Sequence, residues 1–451
     1  MHRSALSSLA ARWANSVAHS RQRPGGVWKA GPGMPGPYGG REDRVVTHED
    51  RWIAPRASSM ERAKASGFRT HWASVAVLLA LLPLGAAGQE PHEAALEREP
   101  GGWALTYQGT LPAAPRLRIN GHGPVTLEGG TAQTFIYSVR LSVAARSAAE
   151  ARSMLRHAPL AVRRGDIVIL TVPHGPVRAR MVVKAPALSM VRIADSDGAV
   201  DATGIAGELD VESRAGDVTV DRIGGPCTVT TSGGDVRVGE VGGNLRCLTG
   251  GGRITLQAAR QEATLETYGG DIVVGQVGGV LRAQTAAGNI RVHAAGGPVT
   301  AITGGGEVAI EKAGGTVTVR NLAGPVQLGA ARGGFECQSA SGGIRLSGVT
   351  GPIRVSTSLG SIVADLTGAH LGDSFLATTG GDITVVIPSN LGVTIHAENR
   401  MADTLRRIVS EFPALPVVRV GSRVVAQGAV NGGGPVLRIS GAGGTIYIKR
   451  R

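Results

Sequence analysis

Aromatic side chains are almost missing from this chain: Phe, Trp and Tyr occur five times each in 451 residues. A domain with a thick interior fills it with such rings, so their scarcity argues for a thin core. Trp13, Trp28, Trp52 and Trp72 all fall before residue 89, which leaves the remainder poorer still. Surfaces that stack nucleic-acid bases are excluded on the same ground. Cysteine is equally rare, and Cys227, Cys247 and Cys337 all stand at apolar positions. Cys227 and Cys247 would lie on neighbouring strands but two residues out of step, roughly 8 Å apart, beyond disulfide reach. Buried free thiols are expected.

Long apolar runs are lacking as well. Ala73 to Leu84 is far shorter than the ~20 residues that cross a bilayer. It follows Arg62, Lys64 and Arg69 and precedes Ala86-Ala87-Gly88, the three parts of a secretory signal over residues 60–88. An exported protein is expected, whether periplasmic, cell-surface or secreted. Residues 1–59 read as an unstructured or misassigned leader upstream of a start at Met60. The net charge is +13, but residues 1–88 hold 12 Lys/Arg against 5 Asp/Glu, which leaves +6 for residues 89–451. So mild a balance implies no nucleic-acid partner and leaves weak attraction to anionic envelope polymers. Signatures of catalysis are missing too: there is no G-x-S-x-G, no H-E-x-x-H and no C-x-x-C. No cofactor or metal site is expected.

What the chain does have is a nine-residue repeat from Met190 to Ala369. Examples are DVTVDRIGG from Asp217, PCTVTTSGG from Pro226, DVRVGEVGG from Asp235 and NLRCLTGGG from Asn244. Positions 2 and 4 are apolar and position 3 is polar, the period-two pattern of a half-buried strand. Positions 8 and 9 are mostly glycine, which suits a corner. Position 7 separates two kinds of unit. It is apolar in one set (Ile223, Val241, Ala259, Val277) and mixed in the other (Ser232, Gly250, Tyr268, Ala286). Two successive units therefore make one coil with two unequal sides. The predicted fold is an all-β parallel β-solenoid of about ten coils over residues 190–399, on the order of 48 Å long.

The flanks read as a linker over 89–115, a β-rich N-terminal cap over 116–189 and a C-terminal cap of helix and strands over 400–451. Helices are predicted at Ala145 to His157 and at Met401 to Phe412. The register slips by three residues near Gly372 before DSFLATTGG resumes the pattern. Caps are required because a stack otherwise ends in open strand edges.

One helix in the N-terminal segment, Gly-Gly-Asp-led rungs and a terminal Asn431-Gly-Gly-Gly-Pro435-Val-Leu-Arg438-Ile block resemble the bacterial putative-adhesin family of exported repeat proteins, over roughly residues 115–451. The resemblance implies a β-solenoid in the cell envelope that adheres, binds or acts as a scaffold without catalysis. Envelope polysaccharide or another envelope protein is the implied kind of partner.

Three columns are candidates for contact. Position 6 of alternate units carries Thr231, Thr249, Thr267, Thr285, Thr303 and Thr357, a hydroxyl ladder expected to face outward. Hydrogen bonding to the backbone at the corner and to the neighbouring coil is the preferred reading of this column over ligand contact. Asp217, Asp235 and Asp271 follow the glycine pairs; corner hydrogen bonding accounts for them better than calcium, since Arg253 interrupts the column. Position 3 carries Arg246, Arg282 and Arg354 on one side, suited to acidic polysaccharide or to a merely solvated face. Two other functions stay open. One is a carbohydrate-active β-helix enzyme with its site at a cap or near Gly372. The other, more remote, is ice binding through the threonines.

Overall fold

The structure, a computed structural model, describes residues 92–451 except 94, 156–159, 173–175, 196, 368–369 and 401–406. The leader and secretory signal expected over residues 1–88 lie outside the described residues.

The repeat folds as the alternation dictates. Eleven two-strand coils run from Met190–Asp195 and Val200–Ile205 to Ser374–Thr378 and Ile383–Ile387. Each strand pairs in parallel with its counterpart in the next coil: Val218 lies opposite Val236, and Cys227 opposite Leu245. At the slip the offset lengthens, with Ile362 opposite Ile383. Positions 2 and 4 on both sides form one continuous core.

The two sides differ as expected. On the broad side most strands have six residues, and position 7 is buried from Ile223 through Val241, Ala259 and Val277 to Val349. On the other, the threonine side, strands such as Cys227–Thr231 have five, and Tyr268, just beyond its strand, and Leu322, near the end of the longer strand Val317–Ala323, stand exposed. Turning position 7 inward breaks strict alternation, so the broad-side ladder skips a pair at the bulge. Arg237 faces Thr255 and Val238 faces Leu256, and the next pair is Glu240 with Ala258. In the first two coils the bulge residues Gly204 (φ +73°) and Arg222 (φ +53°) adopt the left-handed conformation.

The ends are built differently from the body. Arg116–Gly121 and Val125–Glu128, expected as part of the cap, form a further coil against the first one, with Leu117 opposite Val191 and Val125 opposite Val200. Ile167–Thr171 and Arg178–Lys184 pair with the outer edge of that coil. Beyond them Phe135–Val143 and Gly102–Leu111 continue the broad-side sheet in antiparallel fashion. Residues 89–115, expected as a linker, thus include a ten-residue strand. Leu105 and Tyr107 there are buried, and the run lacks Pro until residue 112, so it pairs readily.

The C-terminal end repeats this device. Val436–Gly441 slots between Ser374–Thr378 and Val393–Asn399, and Ile446–Arg450 between Ile383–Ile387 and Ile408–Ser410. The return is made at Asn431, Gly432, Gly433 and Gly434, four consecutive residues with φ between +54° and +157°. The Asn431 amide donates to the carbonyls of Pro388 and Leu391, both at 3.0 Å, and fixes the turn. Arg423–Val430 and Val417–Val420 close the threonine-side sheet as an antiparallel hairpin.

The predicted N-terminal helix is present as Ala148–Met154, capped by Ser147, whose hydroxyl accepts from the Glu150 amide at 3.2 Å. It is the one α-helix among the described residues. The second predicted helix falls partly on residues 401–406, outside the described residues. Its remainder is a strand, Ile408–Ser410, because Ile408 and Val409 are β-branched and complete the ladder on Ile446–Ile448.

Candidate functional site

The threonine column faces inward. Thr231, Thr249, Thr267, Thr285, Thr303 and Thr357 are all buried, no more than 5% exposed. The outward expectation fails because in a five-residue strand position 6 shares a face with positions 2 and 4. Each hydroxyl from Thr231 to Thr303 serves peptide groups of two coils. Thr267 Oγ1 donates to the Gly252 carbonyl of the preceding coil at 2.9 Å and accepts from the Gly270 amide at 3.2 Å. Thr285 then donates to Gly270 at 2.9 Å, and the Gly288 amide donates to Thr285 at 3.1 Å. The relay runs through Thr303 to Asn321, whose amide reaches Gly306 at 3.1 Å. Thr357 departs from it: its Oγ1 is buried without a partner among the described residues. This column holds coils together and offers no contact face.

The aspartates are likewise spent on the corners. Asp217, Asp235 and Asp271 each accept the backbone N–H of the corresponding residue one coil later, at 2.9 Å. The amide of Asn289 on Asp271 holds that carboxyl below the usual carboxylate range. At the slip, Asp373 takes the amide of Val436 at 2.9 Å, and Asp382 that of Thr445 at 2.7 Å. The carboxylates nearest Gly372 therefore pin the inserted C-terminal coil. The three cysteines are free and buried, and burial pushes the Cys227 and Cys337 thiols up to about 12. Cys247 is raised for the same reason.

Two outward features remain. The first is a cleft of about 770 Å³ along the broad-side bulge, lined by Arg222, Glu240, Arg260 and Gln276 over a floor of glycine and alanine. Of its charged side chains, Arg222 is engaged. Arg222 donates to the Thr203 hydroxyl at 2.9 Å and lies 3.5 Å from Asp221, while Glu240 stands one coil on.

The second is the position 3 row of the threonine side, where the predicted arginines do face solvent. Strand register places Thr228, Arg246, Thr264, Arg282, Thr300, Thr318, Glu336 and Arg354 one after another along the stack. The row then continues where the sequence gives no hint of it: Arg354 lies beside Phe375, Phe375 beside Arg438, Arg438 beside His396 and His396 beside Gln427. Arg246 and Arg282 approach the carboxylates of Glu266 and Glu262 at 3.8 and 4.0 Å. Arg354 and Arg438 have no ion-pair partner among the described residues. Glu336, next to Arg354 in the row, accepts the side-chain amide of Gln338 at 3.3 Å instead. Phe375 between the two arginines is 41% exposed.

No family model matches this chain, and no curated protein does. Solved structures similar to it include proteins described as putative adhesins. A putative adhesin from Bacteroides fragilis is 13% identical, covering 60% of this chain and 96% of its own, with a TM-score of 0.25. A putative cell adhesion protein from Clostridium sporogenes is 9% identical over 80% of this chain and 100% of its own, at 0.15. A putative lipid binding protein from Parabacteroides distasonis is 9% identical over 76% and 96%, at 0.18. No site residue is transferred from likenesses this low, and the candidate site rests on its own geometry.

Proposed function

We propose that this protein is a non-catalytic, exported module of the cell envelope that adheres or binds through the outer face of its solenoid. The observation that carries the reading is the shape of the corners. From Cys227 to Thr303 every connection between strands is three or four residues long. Solenoid enzymes that act on polysaccharides build their clefts from long loops and clustered carboxylates, and neither emerges from these coils. The acidic residues that do recur hold backbone amides, which leaves them unsuited to general acid and base work. A continuous, regular outer row is instead suited to an extended partner such as an envelope polysaccharide.

A glycan array read in parallel with turnover assays tests the reading. Binding without product release is expected; release of product from any polysaccharide would overturn it in favour of a carbohydrate-active enzyme. Ice binding has lost its physical basis with the burial of the threonines, and no thermal hysteresis is expected.

A further inference from the structure

Charge is distributed unevenly along the solenoid. Residues 190–389 hold 14 Lys/Arg against 19 Asp/Glu, while residues 390–451 hold nine against three. The body is therefore acidic and the C-terminal end basic. The position 3 row crosses from one regime to the other between Phe375 and Arg438, and from Arg354 onward its side chains change character. The body row consists of threonines, arginines near carboxylates and, at its end beside Arg354, Glu336. The terminal row is Arg354, Phe375, Arg438, His396 and Gln427 on five adjacent strands, all on the outer face of one sheet.

We infer that this terminal row is the seat of an acidic polysaccharide, a uronate-bearing chain lying along the solenoid axis. The inference rests on the binding-module reading above and names its ligand class. Strands ~4.8 Å apart give the five side chains a track roughly 19 Å long. A line of that kind fits a linear polymer and does not fit a globular partner's patch. The guanidinium groups of Arg354 and Arg438 form no ion pair of their own, and planar guanidinium matches a uronate carboxylate with two parallel hydrogen bonds. Phe375 between them offers an apolar platform for the C–H face of a pyranose ring. His396 and Gln427 extend the row with groups that can bond hydroxyls. An anionic bilayer suits the row less well. Phe375 rises from a flat sheet between two charged neighbours, whereas interfacial binding needs a continuous apolar face sunk among the headgroups.

The test uses the full chain, with uronate oligosaccharides (oligogalacturonate and oligomannuronate), neutral cello-oligosaccharides, and vesicles of phosphatidylcholine with and without phosphatidylglycerol. Titration calorimetry should show uronate binding that weakens with salt, and no binding of the neutral oligomers. Arg354→Gln and Arg438→Gln should each weaken uronate affinity about ten-fold. Arg438→Lys, which keeps the charge and loses the fork, should fall in between. Phe375→Ala should weaken it several-fold, and Arg246→Gln, already beside Glu266, should leave it unchanged. All four positions are at the surface, and unchanged melting temperatures confirm intact folding. Uronate affinity that survives the Arg354→Gln, Arg438→Gln pair overturns this site while leaving the binding-module reading intact. Binding of phosphatidylglycerol vesicles in place of uronates also overturns it. Release of shortened oligomers overturns the reading on which it rests.

Discussion

The body of the solenoid and its two ends use the same coil but assemble it from different chain. In the body every coil rests on the coil next to it in sequence, so all contacts are local. At the N-terminal end, Arg116–Gly121 is clasped between two strands from much later in the chain, since Arg116 lies opposite both Ile167 and Met190. At the C-terminal end Ile446–Arg450 returns over the intervening hairpin to Ile383–Ile387. The difference shows what each region is for. Local repetition is enough to extend the stack, whereas ending it requires remote segments that cover the open edges and cannot peel away one coil at a time. Only at such an end could Phe375 and Arg438, so far apart in sequence, become neighbours.

Adjacent glycines within one corner break the body most sharply. A Cβ on Gly252 would lie 2.0 Å from the Gly234 carbonyl oxygen of the coil below, whereas one on Gly251 would meet nothing within 4 Å. Gly252→Val should cost about 4 kcal/mol or more, or prevent folding, and Gly251→Ala should stay within about 0.5 kcal/mol. Urea unfolding of both variants checks this. The corresponding lesion at the end is Gly434→Val, whose Cβ would stand 2.4 Å from the Gly392 carbonyl oxygen. It should unseat the returning coil and make the C-terminal strands susceptible to protease before the body is.

The hydroxyl relay gives a finer contrast. Thr267→Val keeps the shape but leaves the Gly252 carbonyl and the Gly270 amide without their partner, at an expected cost of about 1–3 kcal/mol. Thr357→Val removes a buried hydroxyl that bonds nothing among the described residues, so it should be neutral or stabilising. Equal losses at both positions would refute the relay as the source of cohesion.

Titration separates core from corner more gently. The buried thiols are held neutral up to about 12, while unfolded thiols ionise near 9. The unfolded state then binds fewer protons, so stability should fall as pH rises from about 9 to about 12. Replacing Cys227 and Cys337 with alanine should flatten that decline. Native protein should also resist alkylation by iodoacetamide at pH 8. On the acid side the Asp271 carboxyl is lowered by its backbone hydrogen bond, so it contributes stability above the unfolded carboxylate range that is lost as pH falls. Asp271→Asn should make acid unfolding slightly less steep, the smallest effect of the series.

Much of this is legible in the sequence. The nine-residue period, the pairing of units into one coil, the two unequal sides and the slip near Gly372 all follow from the alternation of Val and Ile with polar residues. So do the terminal strands, read from runs such as VLRIS and TIYIKR. The facing of Thr231 and its column is misread for a definable reason. The outward reading starts the corner before position 6, although strict period two already puts that position with Val229. The end coils are not legible because their partners, such as Ile167 for Arg116, lie far off in the chain and leave no periodic trace. Gly102–Leu111 escapes as a strand because it stands outside the repeat and pairs only with Phe135–Val143 and short neighbours. Of the five residues of the candidate site, Arg354 alone is visible as a contact residue in the sequence. The rest requires knowing that Asn431 to Gly434 turn the chain back and set Arg438 beside Phe375.

The central claim is that cohesion lies in the inward threonines and contact in the outward terminal row. It is tested most directly by measuring melting temperature and oligouronate affinity on the same two variants, Thr267→Val and Arg438→Gln. A lowered melting temperature with unchanged affinity is expected for the first, and an unchanged melting temperature with about ten-fold weaker affinity for the second. Loss of affinity in Thr267→Val, with full affinity retained in Arg438→Gln, would contradict it.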